Sequence, residues 1–212
     1  MHFISFKYAF ILMNNMIIMV ATVAVFFDFG GVDGTPATEQ DTTSLGPPNL
    51  RFKTADDATI DNQNPIPIPS GTAINSFWKS IYLKVTAGTF TQIDNVKFYT
   101  DGGGFGTGIT TYLGDQLPVK NSGANTGYVI ATGTTGTSGD AMVTSHAGIS
   151  AQTDAFTFTS GSPMTITISE AGGLMNAIGE TTNYLVTQMN VASTAGPGNL
   201  ADETWTYQYD EI

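Results

Sequence analysis

Outside the first few residues, the chain offers one imidazole for proton transfer near neutrality: His146, in Thr144-Ser145-His146-Ala147-Gly148. A Ser-His-Asp relay needs that ring to take a proton from a nucleophile and hand it back. A serine next in sequence does not supply this geometry, and no Gly-X-Ser-X-Gly elbow accompanies it. The other histidine, His2, lies in an apolar N-terminal segment, so a His-X-X-X-His metal pair is missing. Asp101-Gly102-Gly103-Gly104-Phe105-Gly106 has the glycines of a phosphate loop without the Lys-Ser/Thr that completes one. The chain therefore reads as a non-enzyme with no catalytic residues.

Carboxylates remain. Glycosidases use two of them about 5 to 10 Å apart, a separation that sequence spacing does not reveal. Asp56, Asp57 and Asp61 cluster with Asn62 and Asn64 in one polar loop, and hard oxygen ligands on a flexible loop suit Ca²⁺. Asp94, Asn95 and Asp101 could add ligands from a neighbouring turn. The loop lacks the alternating Asp-X-Asp-X-Asp-Gly register of an EF-hand, so a solvated acidic loop competes with the calcium site; no other cofactor is implied. Trp78, Trp205, Tyr207 and Tyr209 could form a sugar-stacking platform if exposed, or a buried sheet face if not.

Charge narrows the partners. The net charge is −11, and residues 121–212 contain eight acids and no Lys or Arg. Nucleic-acid binding requires a basic footprint, which this chain does not have. Six of the seven cations, Arg51, Lys53, Lys79, Lys84, Lys97 and Lys120, fall between positions 51 and 120 and read as solvated strand-face charges. Trypsin cleaving after Lys120 would release everything beyond it as one peptide. The absence of cysteine removes disulfides, thiolate catalysis and cysteine-bound metals.

These residues must be carried by strands. The 24 Gly, 9 Pro and abundant Thr suit short strands and turns. Ile81, Leu83 and Val85 alternate with Tyr82, Lys84 and Thr86, and Val96 and Phe98 share one face; these two runs read as a hairpin. Leu185, Thr187, Met189 and Val191 share one strand face, as do Trp205, Tyr207 and Tyr209, around a Ser-Thr-Ala-Gly-Pro-Gly turn that makes either a hairpin or a sandwich corner. Further strand candidates are 51–54, 109–113, 128–131 and segments within 156–168, and only 171–178 looks slightly helical. Eight to ten short strands at roughly ten-residue spacing predict an all-β, antiparallel β-sandwich of jelly-roll or Ig-like type.

The domain reading has three parts: an apolar export, anchor or donor segment over 1–29, a Gly/Pro/Thr linker over 30–48, and a single β-sandwich over 49–212. Residues 8–27 carry no formal charge and are long enough to span a bilayer at about 1.5 Å per residue. Membrane contact is expected only through them, and only if they are retained. The alternative is a secretory signal cleaved after Ala21 or Ala24. Either version implies an extracellular or cell-surface location. Val25, Phe27 and Phe29 share one strand face and are the assembly candidates, able to complete a neighbour's sheet by donor-strand addition.

Two sets of segments carry a resemblance: Phe52–Asp57, Pro65–Pro69, Trp78–Ser80 and Ile93–Gly102 on one side, Tyr184–Met189, Ser193–Gly198 and Glu203–Ile212 on the other. They resemble uncharacterised β-sandwich proteins of archaeal surfaces and of environmental viruses. The resemblance implies a structural role and supplies no catalytic residue. The expectation is a non-enzymatic extracellular structural subunit, forming a filament or surface homopolymer through its N-terminal segment. The alternatives are a virion capsid or tail protein and a carbohydrate-binding module.

Overall fold

The computed structural model describes residues 4–8 as backbone, and 20–42, 50–59, 63–115, 117–197 and 202–212 in full. Thirteen strands follow in chain order: β1 (Ile4–Tyr8), β2 (Ala21–Phe29), β3 (Thr38–Asp41), β4 (Ile74–Asn75), β5 (Lys79–Gly88), β6 (Ile93–Thr100), β7 (Ile109–Gly114), β8 (Gly133–Thr134), β9 (Ser138–Gly139), β10 (Gln152–Asp154), β11 (Met164–Thr165), β12 (Leu185–Val191) and β13 (Glu203–Glu211). They form two sheets. The first runs β1-β13-β6-β11; the second runs β3-β2-β5-β12, with β7, β10 and the short β4, β9 and β8 continuing beyond β12. Every pairing is antiparallel except β1 on β13. The chain is an all-β antiparallel sandwich.

Period-two patterning sets the main core. Val25 and Phe27 of β2, Ile81, Leu83 and Val85 of β5, and Leu185 and Met189 of β12 face Ile93, Val96, Phe98, Trp205 and Tyr207 of the first sheet in one buried cluster. Trp205 stands edge-on to Phe98 at 5.3 Å between centroids, the arrangement that ring quadrupoles favour.

The hairpin expected of the two runs over 81–86 and 96–98 does not form. β5 lies in the second sheet and β6 in the first, so residues 89–92 cross the sandwich rather than reverse a ladder. The crossing is held by Gln92, whose N–H donates to the Ile212 carbonyl at 3.1 Å and whose carbonyl accepts from the Ile212 N–H at 3.0 Å. Gly88 begins it with φ of 105°, where a Cβ would stand 2.1 Å from the Val20 carbonyl oxygen. β12 and β13 likewise sit in different sheets, which makes the 192–202 connection a sandwich corner. Of the other candidates, 109–113 is β7. Residues 51–54 and 128–131 are not strands, while 155–157 and 171–173 are 3₁₀ turns.

The N-terminal boundaries differ from expectation. β2 pairs over its whole length with β5 and, at its second half, with β3. Residues 21–42 are therefore part of the sandwich rather than a leader and linker, because the alternation in Val23, Val25 and Phe27 is that of a central strand. Ala21 and Ala24, the candidate cleavage positions, are buried within it. Among the described residues no helix is long and apolar enough to cross a membrane.

The second sheet is also covered on its outer face. Segment 117–151 lies over it, placing Tyr128, Ala131, Met142 and Ile149 against Phe77, Trp78, Tyr82, Tyr184 and Val186 in a second buried cluster. Tyr82, expected to face outward, is fully buried.

Candidate functional site

The outer cluster contains a problem that the backbone register creates. Asp28 of β2 lies directly opposite Glu39 of β3, and like charges so placed repel. Tyr82, reaching out from β5, puts its hydroxyl between them, 3.0 Å from Asp28 Oδ1 and also on Glu39 Oε2. One phenolic proton cannot satisfy two carboxylates, so cations are required. Lys84, two residues along β5, pairs with Glu39. Lys120, from the covering segment, places Nζ 3.3 Å from Asp28 Oδ2. Two acids face two lysines, and the group is formally neutral.

Aromatic rings close it off. The Tyr184 hydroxyl donates to Asp28 Oδ2, and its ring stands edge-on to Tyr82 at 5.5 Å. The Lys120 ammonium lies 4.2 Å from the Tyr82 ring centre and 5.1 Å from that of Tyr184, within cation–π range of both. Lys120 also donates to Asn125 Oδ1 at 2.6 Å. Asp28 and Lys120 are 3 % and 4 % exposed. Burial drives the Lys120 ammonium below its ordinary pKa against the opposing pull of Asp28 and Glu39. Burial and the adjoining carboxylates both raise Tyr82 and Tyr184, which stay protonated. At Glu39 burial works upward, but the Lys84 and Tyr82 hydrogen bonds and the lysine charges outweigh it and hold the carboxyl low.

Above this cluster opens a polar cavity of about 220 Å³, lined by Glu39, Lys84 and Lys120 together with residues 121–125, Gly179 and Thr181. Its rim is a turn in which Asn121 and Ala124 exchange backbone hydrogen bonds. The Glu170 carboxylate accepts from the Ser122 N–H and hydroxyl. The arrangement can hold a small polar solute, and it juxtaposes an amine, a carboxamide and a carboxylate in one place.

No protein-family model matches the chain, and neither a curated protein nor a solved structure shows significant similarity to it. The site is read from its own geometry.

The residues singled out from sequence lie elsewhere. Val25 and Phe27 are buried in the chain's own core, and Phe29 packs partly against it. β2 is paired with β5 along 21–28 and with β3 along 26–29, so Val25, Phe27 and Phe29 lie on a strand of this chain's own sheet. Asp56 accepts the Gly30 N–H at 2.8 Å, and its carboxyl is raised chiefly by burial. Asp57 accepts from Lys53 Nζ at 2.9 Å, while its carbonyl accepts from Lys79 Nζ at 3.1 Å. Two lysines thus bring positive charge to this loop. Asp61 lies outside the described residues, and among the described residues no group of three metal-ligating acids or histidines forms.

Lys53, Lys79 and Lys120 are buried rather than solvated: Lys53 pairs with Asp57 four residues along, while Lys79 and Lys120 have a carbonyl or carboxylate brought to them from another segment. Trp78 and Trp205 are both buried, so the sugar platform built on them is not present; Trp78 Nε1 donates to the Val129 carbonyl. His146 is buried edge-on to Trp78, with Nδ1 against the Ala147 carbonyl and Nε2 without a hydrogen-bond partner. Among the described residues no Ser or carboxylate hydrogen-bonds to its ring.

Asp28, Glu39, Lys120 and Asn125 were not singled out from sequence. One signal was available: Asp28 is the lone acid in the run from Tyr8 to Phe29, placed one residue out of phase with the buried face of β2.

Proposed function

We propose that this chain is a non-enzymatic structural subunit of an extracellular or cell-surface homopolymer, assembled by exchange of its N-terminal strand β1. The observation that carries this reading is the position of Ile4–Tyr8. Among the described residues it is the only parallel strand, it forms an edge of the first sheet, and it pairs with β13 alone. Without it, nine-residue β13 would present an open ladder edge, the surface to which another chain adds a strand. Residues 9–20 separate β1 from β2, a contour of about 40 Å at most, enough to deliver β1 to an adjacent copy. In this reading the assembly segment is residues 4–8 in place of Val25, Phe27 and Phe29.

The cysteine-free chain makes the test clean. Ser5 lies opposite Thr204 in register, and neighbouring strands are about 4.8 Å apart, within disulfide reach. Single variants Ser5→Cys and Thr204→Cys, refolded together and oxidised, are expected to give disulfide-linked heterodimers, and deletion of residues 1–8 is expected to abolish higher oligomers. Crosslinking confined to the Ser5→Cys/Thr204→Cys double variant, always within one chain, would overturn the proposal.

A further inference from the structure

The structure assigns to Lys120, Asn125 and Asp28 a covalent chemistry independent of the assembly reading: we propose that Lys120 and Asn125 condense spontaneously into an intramolecular isopeptide bond, with Asp28 as the proton relay. The Lys120 amine touches both partners, Asn125 Oδ1 at 2.6 Å and Asp28 Oδ2 at 3.3 Å. A contact of this length brings the amine near the carboxamide carbon, and such preorganisation replaces much of the entropic barrier to an otherwise slow reaction.

The three groups have the required characters. A lysine becomes a nucleophile when burial disfavours its ammonium, and Lys120 is driven in that direction by its surroundings. The Asn125 carboxamide is a neutral electrophile with a leaving nitrogen, whereas an ionised Asp28 carboxylate resists attack. Asp28 is oriented by hydroxyl contacts from Tyr82 and Tyr184, whose rings flank the amine.

In the step, Lys120 Nζ, having lost its ammonium proton, attacks Cγ of Asn125. Asp28 takes a proton from the attacking nitrogen and passes it to the departing amide nitrogen. The Nζ–Cγ bond forms, the Cγ–Nδ2 bond breaks, and ammonia leaves, carrying away the proton first released. Nothing is oxidised or reduced. The product closes a ring over the 121–124 turn at the rim of the cavity and fixes the covering segment above β2 and β5.

Intact-mass spectrometry of the purified full chain tests this directly. The expected mass is that of the sequence less one ammonia. Trypsin would then fail to cut after Lys120, leaving residues 98–212 as one piece bridged between Lys120 and Asn125. Lys120→Arg and Asp28→Asn are each expected to restore the full mass. An unmodified wild-type mass overturns the proposal without any variant having to fold. Ammonia loss that persists in Lys120→Arg overturns it too, because Asn125 would then be cyclising on its own backbone. Loss of water with a Lys120–Asp28 bridge overturns the assignment of Asn125 as electrophile.

Discussion

The two faces of the second sheet are held by different physics, although neighbouring residues of the same strands build both. Toward the first sheet, β2 and β5 present Val25, Phe27, Ile81, Leu83 and Val85, all apolar and all buried. Toward the covering segment the same strands present Asp28, Tyr82 and Lys84, tied by directional bonds to Glu39, Lys120 and Tyr184. The inner face needs only shape and apolar area. On the outer face each buried polar group needs its own partner, since an unpaired charge there has no solvent to fall back on. Chemistry that depends on exact protonation and contact therefore has its setting on the outer face.

Phe27 and Asp28 expose this contrast most sharply, being adjacent in sequence and buried on opposite sides. Truncating either to Ala is expected to cost about 3–5 kcal/mol: Phe27 through the cavity left behind, Asp28 through the stranded Lys120 charge. Conservative variants separate them. Phe27→Leu keeps apolar volume and is expected to cost well below Phe27→Ala. Asp28→Asn keeps shape, loses the charge that balances Lys120, and stays close to the cost of Asp28→Ala. Denaturant midpoints at constant m-value decide it; equal tolerance of both conservative variants would erase the distinction.

A carboxyl pair on the first sheet sharpens the comparison further, since there a proton takes the part the lysines play on the outer face. Asp101 accepts the Thr204 N–H at 3.0 Å and the Gly103 N–H at 3.2 Å, and these bonds with that from Glu203 outweigh burial and hold it low. Glu203 is pushed up to about 7, first by burial and then by Asp101. Between its ordinary value of 4.5 and about 7 the folded chain keeps a proton that the unfolded carboxyl has released. This contribution to stability is complete below the lower value and is lost as pH rises through the upper one. Glu203→Gln, a permanent donor to Asp101, is expected to gain on the wild type as pH increases from 5 to 8. A difference in unfolding midpoint that does not vary with pH would show that Glu203 is ionised throughout.

The inner face was legible in the sequence and the outer one was not, for a physical reason. Alternation of Ile81, Leu83 and Val85 states directly which side is buried, because hydrophobicity is a property of each residue alone. The partner residues Tyr82 and Lys84 look like a solvated face, and only the irregular segment 117–151 folding over them makes it a second core. Lys120 and Asp28 are 92 positions apart, so no local motif joins them. The misassigned β5–β6 hairpin has a similar cause: the glycine-bearing residues that end a strand before a ladder reversal also serve a crossing between sheets, and Gly88 meets the close approach of Val20, which lies far back in the chain. The pattern in Val25, Phe27 and Phe29 was recognised as a strand but assigned to a neighbour, because its partner β5 begins fifty residues later.

The smallest effect belongs to the rim of the same cluster, where solvent returns. Lys84 and Glu39 are in contact, but their side chains remain 24 % and 37 % exposed, so water screens the pair as it does other surface pairs, typically worth about 0–1 kcal/mol. Lys84 also rests over the Phe26 ring at 4.9 Å and keeps part of its packing without any acid. Lys84→Ala is expected to lower stability by about 1 kcal/mol or less, and a double-mutant cycle with Glu39→Gln to give a coupling within that range. The Tyr82 hydroxyl is the link through which the rim could reach Asp28. If the cycle gave a coupling as large as the loss in Asp28→Ala, Glu39 and Lys84 would belong to the buried network, and the boundary between core and rim would move outward past Tyr82.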